Sequence, residues 1–167
     1  EYGGDKALFG YGDAASGYVS VTNLVSNLGV VSADVTGVGT ARAYLAACRF
    51  GSGKAIFGYG TTGSGNVSMT NLVSNTGVVA SDVSGVGTAR HNLAAAEFGV
   101  GKGIFGYGDS GSVSSLTNLV SDLGVVASDV SGVGTARKQL GAASYGGDKG
   151  VFAYGDSGSR VSLKNLV

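Results

Sequence analysis

The heptapeptide "KAIFGYG" at residues 54–60 returns as "KALFGYG" at 6–12, "KGIFGYG" at 102–108 and "KGVFAYG" at 149–155. The lysines that open these copies are 48, 48 and 47 residues apart. Repetition at such an interval is typical of a protein assembled from similar units, none of which can bury its own core alone. The sequence therefore predicts a single repeat domain over residues 1–167. Its copies are predicted at 6–53, 54–101 and 102–148, with a partial copy at 149–167.

The composition describes an ordered chain that carries little charge. Its 167 residues include 32 glycines and no proline or tryptophan, and 11 basic residues balance 11 acidic ones. Glycines at repeating positions are typical of turns between ordered elements. A balanced charge gives no strong attraction to nucleic-acid phosphates or to an anionic membrane surface. We therefore expect no nucleic-acid partner and no membrane partner.

One copy of the repeat reads as four short strands separated by glycine-containing turns. Residues 55–59 are aromatic and β-branched, residues 67–73 are rich in Val, Met, Thr and Leu, and residues 77–83 carry paired valines. Residues of these types favour strands. The remaining run, "TARHNLAAAEF" at 88–98, is interpreted as the first strand. The alternative is a helix of about ten residues beginning at Thr88, because threonine is a good helix N-cap.

The length of the copy and its strand count favour one architecture. Units of ~48 residues with four antiparallel strands match the blades of a β-propeller. Alanine-rich first strands fit the crowded axis of such a ring, where only small side chains can approach closely. The sequence therefore predicts an all-β fold, a β-propeller. A β-rich or β/α solenoid has a similar period and is the alternative.

Several features of the copy resemble divergent kelch repeats, which build β-propellers. Arg90 precedes an alanine-rich strand, "KAIFGYG" is similar to the kelch strand that ends in glycines, and Asp82 lies in the predicted outer strand. The amino-acid pattern of the repeat is also similar to that of repeat arrays in uncharacterised phage and environmental bacterial proteins. These resemblances imply a structural or adhesive protein, in a virion or at an extracellular surface.

Three sets of residues recur with the repeat and are the candidate functional residues. The arginines and aspartates could pair and hold each unit to its neighbour, or could form one ligand site per unit. The tyrosines predict packing between units with a hydroxyl hydrogen bond, or a platform on which a sugar stacks. The sets are Arg42, Arg90 and Arg137; Asp34, Asp82 and Asp129; and Tyr11, Tyr59, Tyr107 and Tyr154.

Other positions differ between the copies and are candidates for specificity. Such a position either faces solvent and is free to vary, or is where a ligand is distinguished. One pair of neighbouring positions holds Ala43 and Tyr44, then His91 and Asn92, then Lys138 and Gln139. A second position holds Arg49, Glu97 and Ser144.

The chain contains few of the residue types that catalysis or a metal site requires, although paired carboxylates remain possible. His91 is its only histidine and Cys48 its only cysteine, so neither a transition-metal site nor a Ser/His/Asp triad can be built within one chain. The aspartates Asp34, Asp82 and Asp129 recur identically, whereas an active site is normally one asymmetric constellation. We therefore expect a protein that is not an enzyme and has no cofactor or metal.

These observations predict a repeat-built binding or structural module. Its expected role is recognition of a saccharide or protein ligand, or scaffolding of a virion or cell surface. The alternative is a purely structural self-assembly protein that binds no small ligand. Because an open array of β-units exposes sheet faces and edges, we expect self-association, either as a homodimer that closes a ring or as part of a longer array.

Overall fold

The computed structural model describes residues 1–167 and contains β-strands but no helix. No segment therefore forms a helix that is long and apolar enough to cross a membrane. The prediction of an all-β fold is confirmed. The strands are β1 (Ala7–Ala14), β2 (Gly17–Val25), β3 (Ala46–Phe50), β4 (Lys54–Gly58), β5 (Thr61–Thr62), β6 (Gly65–Asn66), β7 (Thr70–Val73), β8 (Ala94–Phe98), β9 (Lys102–Asp109), β10 (Val113–Val120), β11 (Gly141–Tyr145), β12 (Lys149–Ala153) and β13 (Lys164–Leu166).

The strands form four main antiparallel sheets, which follow one another along the chain. Sheet I contains β1 and β2, sheet II contains β3, β4 and β7, sheet III contains β8, β9 and β10, and sheet IV contains β11, β12 and β13. The short pair β5 and β6 forms a separate ribbon beside sheet II. In sheets II to IV the central strand is the one that begins with the repeated lysine.

The alanine-rich run is a strand in every sheet that contains it, so the helical alternative is wrong. In sheet III, Ala94–Phe98 pairs with β9 along its whole length, from Ala94 opposite Gly106 to Phe98 opposite Lys102. β8 also contacts both β3 and β11 of the neighbouring sheets. Alanine side chains allow this close approach, and the packing outweighs their intrinsic helix propensity.

The predicted fourth strand is not continuous. In the 77–83 segment only two residues pair with β7, Val79 with Val73 and Val83 with Thr70. Between these two bridges the side-chain amide of Asn71 donates a 3.0 Å hydrogen bond to the Ala80 carbonyl, where a backbone N–H would otherwise donate. The prediction of a regular strand here is wrong, because the asparagine side chain occupies a carbonyl that a strand-to-strand backbone hydrogen bond would use.

Consecutive sheets pack face to face, and each contact between two sheets, here called a junction, buries its own apolar cluster. At the junction of sheets II and III, Phe105 is fully buried and its ring centroid lies 5.1 Å from that of Tyr59. Burying an aromatic side chain of this size contributes about 1.5–3 kcal/mol. Backbone hydrogen bonds also cross the junction, from the Gly51 N–H to the Gly101 carbonyl and from the Asn92 N–H to the Tyr44 carbonyl.

The stack of sheets does not close on itself within one chain. Sheet I and sheet IV each have one face without a neighbouring sheet. Phe9 on sheet I is 63% exposed and Tyr154 on sheet IV is 66% exposed, whereas the equivalent Phe57 and Tyr107 are buried.

Candidate functional site

The recurring arginines lie inside the molecule, one at each junction. Arg90 is 0% exposed and donates from Nε to the Tyr107 carbonyl at 2.7 Å and from Nη1 to the Thr88 carbonyl at 3.1 Å. Its Nη2 donates to Oδ1 of Asn118 at 2.7 Å. The guanidinium also lies over the ring of Tyr59 in the preceding sheet, 4.3 Å from the centroid. A buried charge of this kind is tolerated because its donors are satisfied and an aromatic face covers it.

A carboxylate completes the arrangement around Arg90. Asp129 accepts hydrogen bonds from the Thr88 N–H at 2.9 Å, from the Thr88 hydroxyl at 2.6 Å and from the Asn118 amide at 2.9 Å. It lies 3.9 Å from Nη1 of Arg90. Asp129 therefore ties the connection between sheets II and III to the edge of sheet III. We call the set Tyr59, Thr88, Arg90, Asn118 and Asp129 a junction clamp.

The same clamp recurs one repeat earlier, with the same contacts. Arg42 is 0% exposed, donates to the Tyr59 carbonyl at 2.9 Å and to Asn71 at 2.7 Å, and lies 4.2 Å from the ring centroid of Tyr11. Asp82 accepts from the Thr40 N–H at 2.9 Å and from the Thr40 hydroxyl at 2.7 Å. This clamp consists of Tyr11, Thr40, Arg42, Asn71 and Asp82.

The clamps shift the ionisation of their members in opposite directions. Burial acts to raise the pKa of Asp129, but the hydrogen bonds from Thr88 and Asn118 and the charge of Arg90 outweigh it, so the pKa lies below its usual value. Burial lowers the pKa of Arg90, and burial raises the pKa of Tyr59. An arginine remains a cation at all relevant pH values, so at neutral pH the clamp joins a cation to a carboxylate.

The remaining members of the recurring sets form only parts of a clamp. Arg137 is buried over the Tyr107 ring at 4.1 Å but donates only to backbone carbonyls, those of Tyr154, Thr135 and Phe152. Asp34 accepts from Asn23 at 2.7 Å and has no arginine beside it. Tyr154 carries no guanidinium on its ring.

Because Arg42 and Arg90 are buried and already bonded to other groups of the clamps, they are not open to a ligand. Both arginines instead hold neighbouring sheets together. The tyrosine hydroxyls act in the same way: those of Tyr11, Tyr59 and Tyr107 donate to the carbonyls of Val38, Val86 and Val133, in the connections between sheets.

Residues that differ between copies come together on an exposed row that crosses the junctions. Tyr44 is 49% exposed, and its ring centroid lies 6.4 Å from that of Tyr18 and 6.2 Å from that of His91. Its hydroxyl donates to Asp13 at 3.4 Å. Sheets I, II and III thus contribute aromatic and carboxylate groups to one continuous surface.

The row continues toward sheet IV with charged side chains. Asp109 pairs through its backbone with His91, and its carboxylate accepts a 2.6 Å hydrogen bond from Nζ of Lys138. The side-chain amide of Asn66 donates a hydrogen bond to the backbone carbonyl of Asp109. The hydrogen bond from Lys138 is the main cause that holds the pKa of Asp109 below its usual value, and Asp109 in turn raises the pKa of Lys138. We call this surface the variable row, formed by Asp13, Tyr18, Tyr44, Asn66, His91, Asp109 and Lys138.

The second variable position has a different role. Nη1 of Arg49 contacts Glu1 at 2.7 Å, Nε of Arg49 lies 3.6 Å from Glu97, and the Ser144 hydroxyl donates to the Glu97 carbonyl at 2.8 Å. Glu1, Arg49, Glu97 and Ser144 occupy equivalent positions in successive copies of the repeat, and each contacts the next. Opposite charges therefore alternate from Glu1 to Arg49 to Glu97, which favours contact between these segments. Cys48 lies buried beside Arg49, and burial raises the pKa of its thiol to about 12, so the thiol is not reactive at neutral pH.

The sequence patterns did not indicate every member of these sites. Thr40 and Thr88 were not among the candidate functional residues, although a threonine stands two residues before each recurring arginine, the third being Thr135. Asp13, Tyr18 and Asn66 belong to the variable row only because the sheets stack, and no local pattern marks them. No cluster of three or more His, Cys, Asp or Glu side chains is present that could hold a metal ion.

The comparisons with known proteins add no relative from which a function could be transferred. No protein-family model matches the chain, and no curated protein matches it significantly. The geometry of the clamps and of the variable row is therefore the basis for a functional assignment.

Proposed function

We propose that the protein is a non-enzymatic recognition module that binds a saccharide on the variable row. One observation carries the proposal: the recurring arginines and three of the recurring tyrosines are buried in the junctions, whereas Tyr44, His91 and Lys138, which differ from copy to copy, lie on one surface that crosses the junctions. A repeated scaffold that presents a non-repeated surface is the arrangement by which repeat proteins recognise ligands.

The chemistry of the row suits a sugar. The exposed ring of Tyr44, with Tyr18 at its edge, offers an apolar face for the C–H groups of a pyranose, and a phenol hydroxyl beside it. Asp13, which is exposed, supplies a carboxylate acceptor for sugar hydroxyls. Sites for small polar ligands commonly combine aromatic walls with a few placed polar groups.

The scaffold proposed for this function is a kelch-like β-propeller. It is supported by antiparallel sheets that recur every ~48 residues, pack face to face and place their alanine-rich first strands beside one another. In that arrangement each sheet is a blade and the clamps fasten neighbouring blades. The setting proposed from the sequence, a virion or extracellular surface, is compatible with a saccharide ligand.

The test is a glycan array followed by titration calorimetry on Tyr44→Asn. Asparagine stands at the equivalent position 92 with a similar positive φ, 54° against 55° for Tyr44, so the backbone tolerates the change. We expect this variant, and more weakly Asp13→Asn, to reduce affinity on the order of tenfold, the worth of one stacked aromatic ring. Tyr145→Ala, which removes an exposed tyrosine outside the row, is the control. Binding unchanged in Tyr44→Asn would contradict the proposal.

A second candidate is a purely structural assembly protein with no small ligand. The clamps favour it, because their polar and charged groups bond to one another and hold neighbouring sheets together. A glycan array that detects no ligand, together with self-association of the chain in sedimentation velocity, would select this candidate over the first.

A further inference from the structure

Three equivalent residues, one in each of three successive copies of the repeat, follow one another beside the variable row. They are Tyr44, Asn92 and Gln139, and we call them the polar ladder. We infer that the ligand of the row is a neutral linear oligosaccharide that extends along the polar ladder and places one sugar unit at each member. This assignment rests on the saccharide-binding function proposed above and adds the length and the charge of the ligand.

Backbone hydrogen bonds connect the members of the polar ladder directly. The Asn92 N–H donates to the Tyr44 carbonyl at 2.9 Å, and the Gln139 N–H donates to the Asn92 carbonyl at 2.9 Å. Backbones joined in this way lie on the order of 5 Å apart. The three residues therefore follow one another at a spacing close to the length that one pyranose unit adds to an extended glycan.

The backbone conformation of the polar ladder indicates that its side chains have a role. Tyr44, Asn92 and Gln139 have φ of 55°, 54° and 55°, a left-handed conformation that is unfavourable for tyrosine and glutamine and that glycine adopts without strain. Glycine occupies most of the other positive-φ positions of this chain, and Tyr11 and Tyr59, which also have positive φ, belong to the clamps. Strained positions of this kind cluster at ligand sites.

The side chains of the polar ladder are not used inside the molecule. The amides of Asn92 and Gln139 form no hydrogen bond within the chain, and neither amide is buried. The hydroxyl of Tyr44 reaches only Asp13, at 3.4 Å. Asn92 has a copy of the repeat on each side and is still partly exposed, and Tyr44 is exposed. These groups are therefore open to a ligand.

An amide row beside an aromatic ring matches the chemistry of a sugar chain. Each side-chain amide carries both donors and an acceptor, as the hydroxyls of a sugar do, so one amide can bond to neighbouring hydroxyls of one unit. The ring of Tyr44 offers an apolar face to the first unit. Asn92 and Gln139 then provide hydrogen bonds to the second and the third unit.

The charges around the polar ladder favour a neutral ligand. Lys138, the one lysine of the variable row, is paired with Asp109 at 2.6 Å. Asp13 is exposed beside Tyr44. The row thus has no free lysine to bind the carboxylate of an acidic sugar, and its exposed carboxylate would repel one.

Titration calorimetry on the intact chain tests the length of the ligand. The probes are glucose, mannose, galactose and N-acetylglucosamine, each as the monosaccharide and as its linear disaccharide and trisaccharide. For the sugar that binds, we expect affinity to rise about fivefold with each added unit, the worth of one hydrogen bond. The trisaccharide of galacturonic acid, which carries a carboxylate on every unit, should bind more weakly than the neutral trisaccharide.

Glycine variants remove the amide side chains one at a time without straining the backbone, because glycine is suited to a positive φ. Asn92→Gly should weaken binding of the disaccharide and the trisaccharide about fivefold and leave the monosaccharide unchanged. Gln139→Gly should weaken only the trisaccharide. The control is Val100→Gly, which removes an 81% exposed side chain at a φ of 44°, in the turn at the other end of β8 from Asn92.

The outcomes separate this assignment from the function on which it rests. Binding that depends on Tyr44 but is equally tight for the monosaccharide and the trisaccharide would overturn the polar ladder and leave saccharide recognition standing. Unchanged binding of every length in both Asn92→Gly and Gln139→Gly would do the same. Tighter binding of the acidic trisaccharide would overturn the neutral assignment alone. A natural chain that binds none of the probes would count against both proposals.

Discussion

Arg90 and Arg137 occupy equivalent positions and are equally buried, yet they bind different groups. Arg90 donates to an asparagine side chain and lies beside a carboxylate, whereas Arg137 reaches only three backbone carbonyls. Both guanidiniums cover a tyrosine ring. The comparison shows that the ring and the carbonyls are enough to bury an arginine. Asn118 and Asp129 in addition bind the segment that connects sheets II and III to the edge of sheet III.

The largest expected effect comes from removing a clamp arginine. Arg90→Ala leaves Oδ1 of Asn118 and the Tyr107 carbonyl without their donor, removes the cation beside Asp129 and opens a cavity on Tyr59. We expect a loss of about 3–5 kcal/mol in the free energy of unfolding, because a large buried side chain is lost and buried acceptors are left unpaired. Arg137→Ala should cost less by about 1–2 kcal/mol, because no charged partner is left behind. Urea titration followed by circular dichroism measures both.

Arg49→Ala is the control for this comparison, because Arg49 is only partly buried and its ion pairs reach solvent. Its loss should cost less than about 1 kcal/mol. Equal losses for Arg90→Ala and Arg137→Ala would mean that the asparagine and the aspartate contribute nothing to the clamp.

A smaller effect is expected from adding a methyl group between two sheets. In Gly58→Ala the new Cβ would lie 2.6 Å from the Phe105 ring, at the junction that contains Arg90. Overpacking of this kind costs about 1–3 kcal/mol. Gly106→Ala, at the junction that contains Arg137, has 2.9 Å to the Phe152 ring and should cost less. Denaturant titrations of the two variants compare the tolerance of the two junctions.

Gly63→Ala is the matched control, because no atom lies within 4 Å of the Cβ position at Gly63 and its φ is not positive. We expect no loss of stability from this change. If Gly106→Ala cost more than Gly58→Ala, the junction at Arg137 would be the tighter of the two, contrary to the geometry.

The carboxylate of the clamp is expected to contribute less than the arginine and to do so only above acidic pH. The folded state lowers the pKa of Asp129, so its contribution is present above the unfolded pKa of about 4 and is lost as pH falls through the folded value. Asp129→Asn should cost about 1–2 kcal/mol at pH 7. It should also flatten the decline of stability below about pH 4. Thermal unfolding at a series of pH values measures both effects.

Asp34→Asn provides the control for the carboxylate. Asp34 is equivalent to Asp129 but accepts only from Asn23 and has no threonine or arginine partner. Its replacement should change stability by less than about 0.5 kcal/mol. A pH profile that is the same for Asp129→Asn and for the natural chain would refute the assigned role of the carboxylate.

Much of the scaffold can be predicted from the sequence, because each copy of the repeat carries the same pattern and predicts the same strands. The interval between copies, the turn glycines and the apolar runs all indicate sheets with the same strand order. The interrupted segment at 77–83 could not be predicted, since its valines favour a strand and only the Asn71 side chain interrupts the ladder. The variable row could not be predicted either, because Tyr18 and Tyr44 are 26 residues apart and meet only through the stacking of sheets I and II.

The smallest expected effect on stability is at the variable row, and it completes the contrast with the clamps. Tyr44→Asn removes a side chain that is half exposed and keeps the backbone bond from the Asn92 N–H to its carbonyl. We expect the free energy of unfolding to change by less than about 0.5 kcal/mol, as for other surface substitutions. A loss comparable to that of Arg90→Ala would mean that the ring supports the junction itself. If Tyr44→Asn is stable but no longer binds the ligand, different residues of the same repeat stabilise the junctions and recognise the ligand.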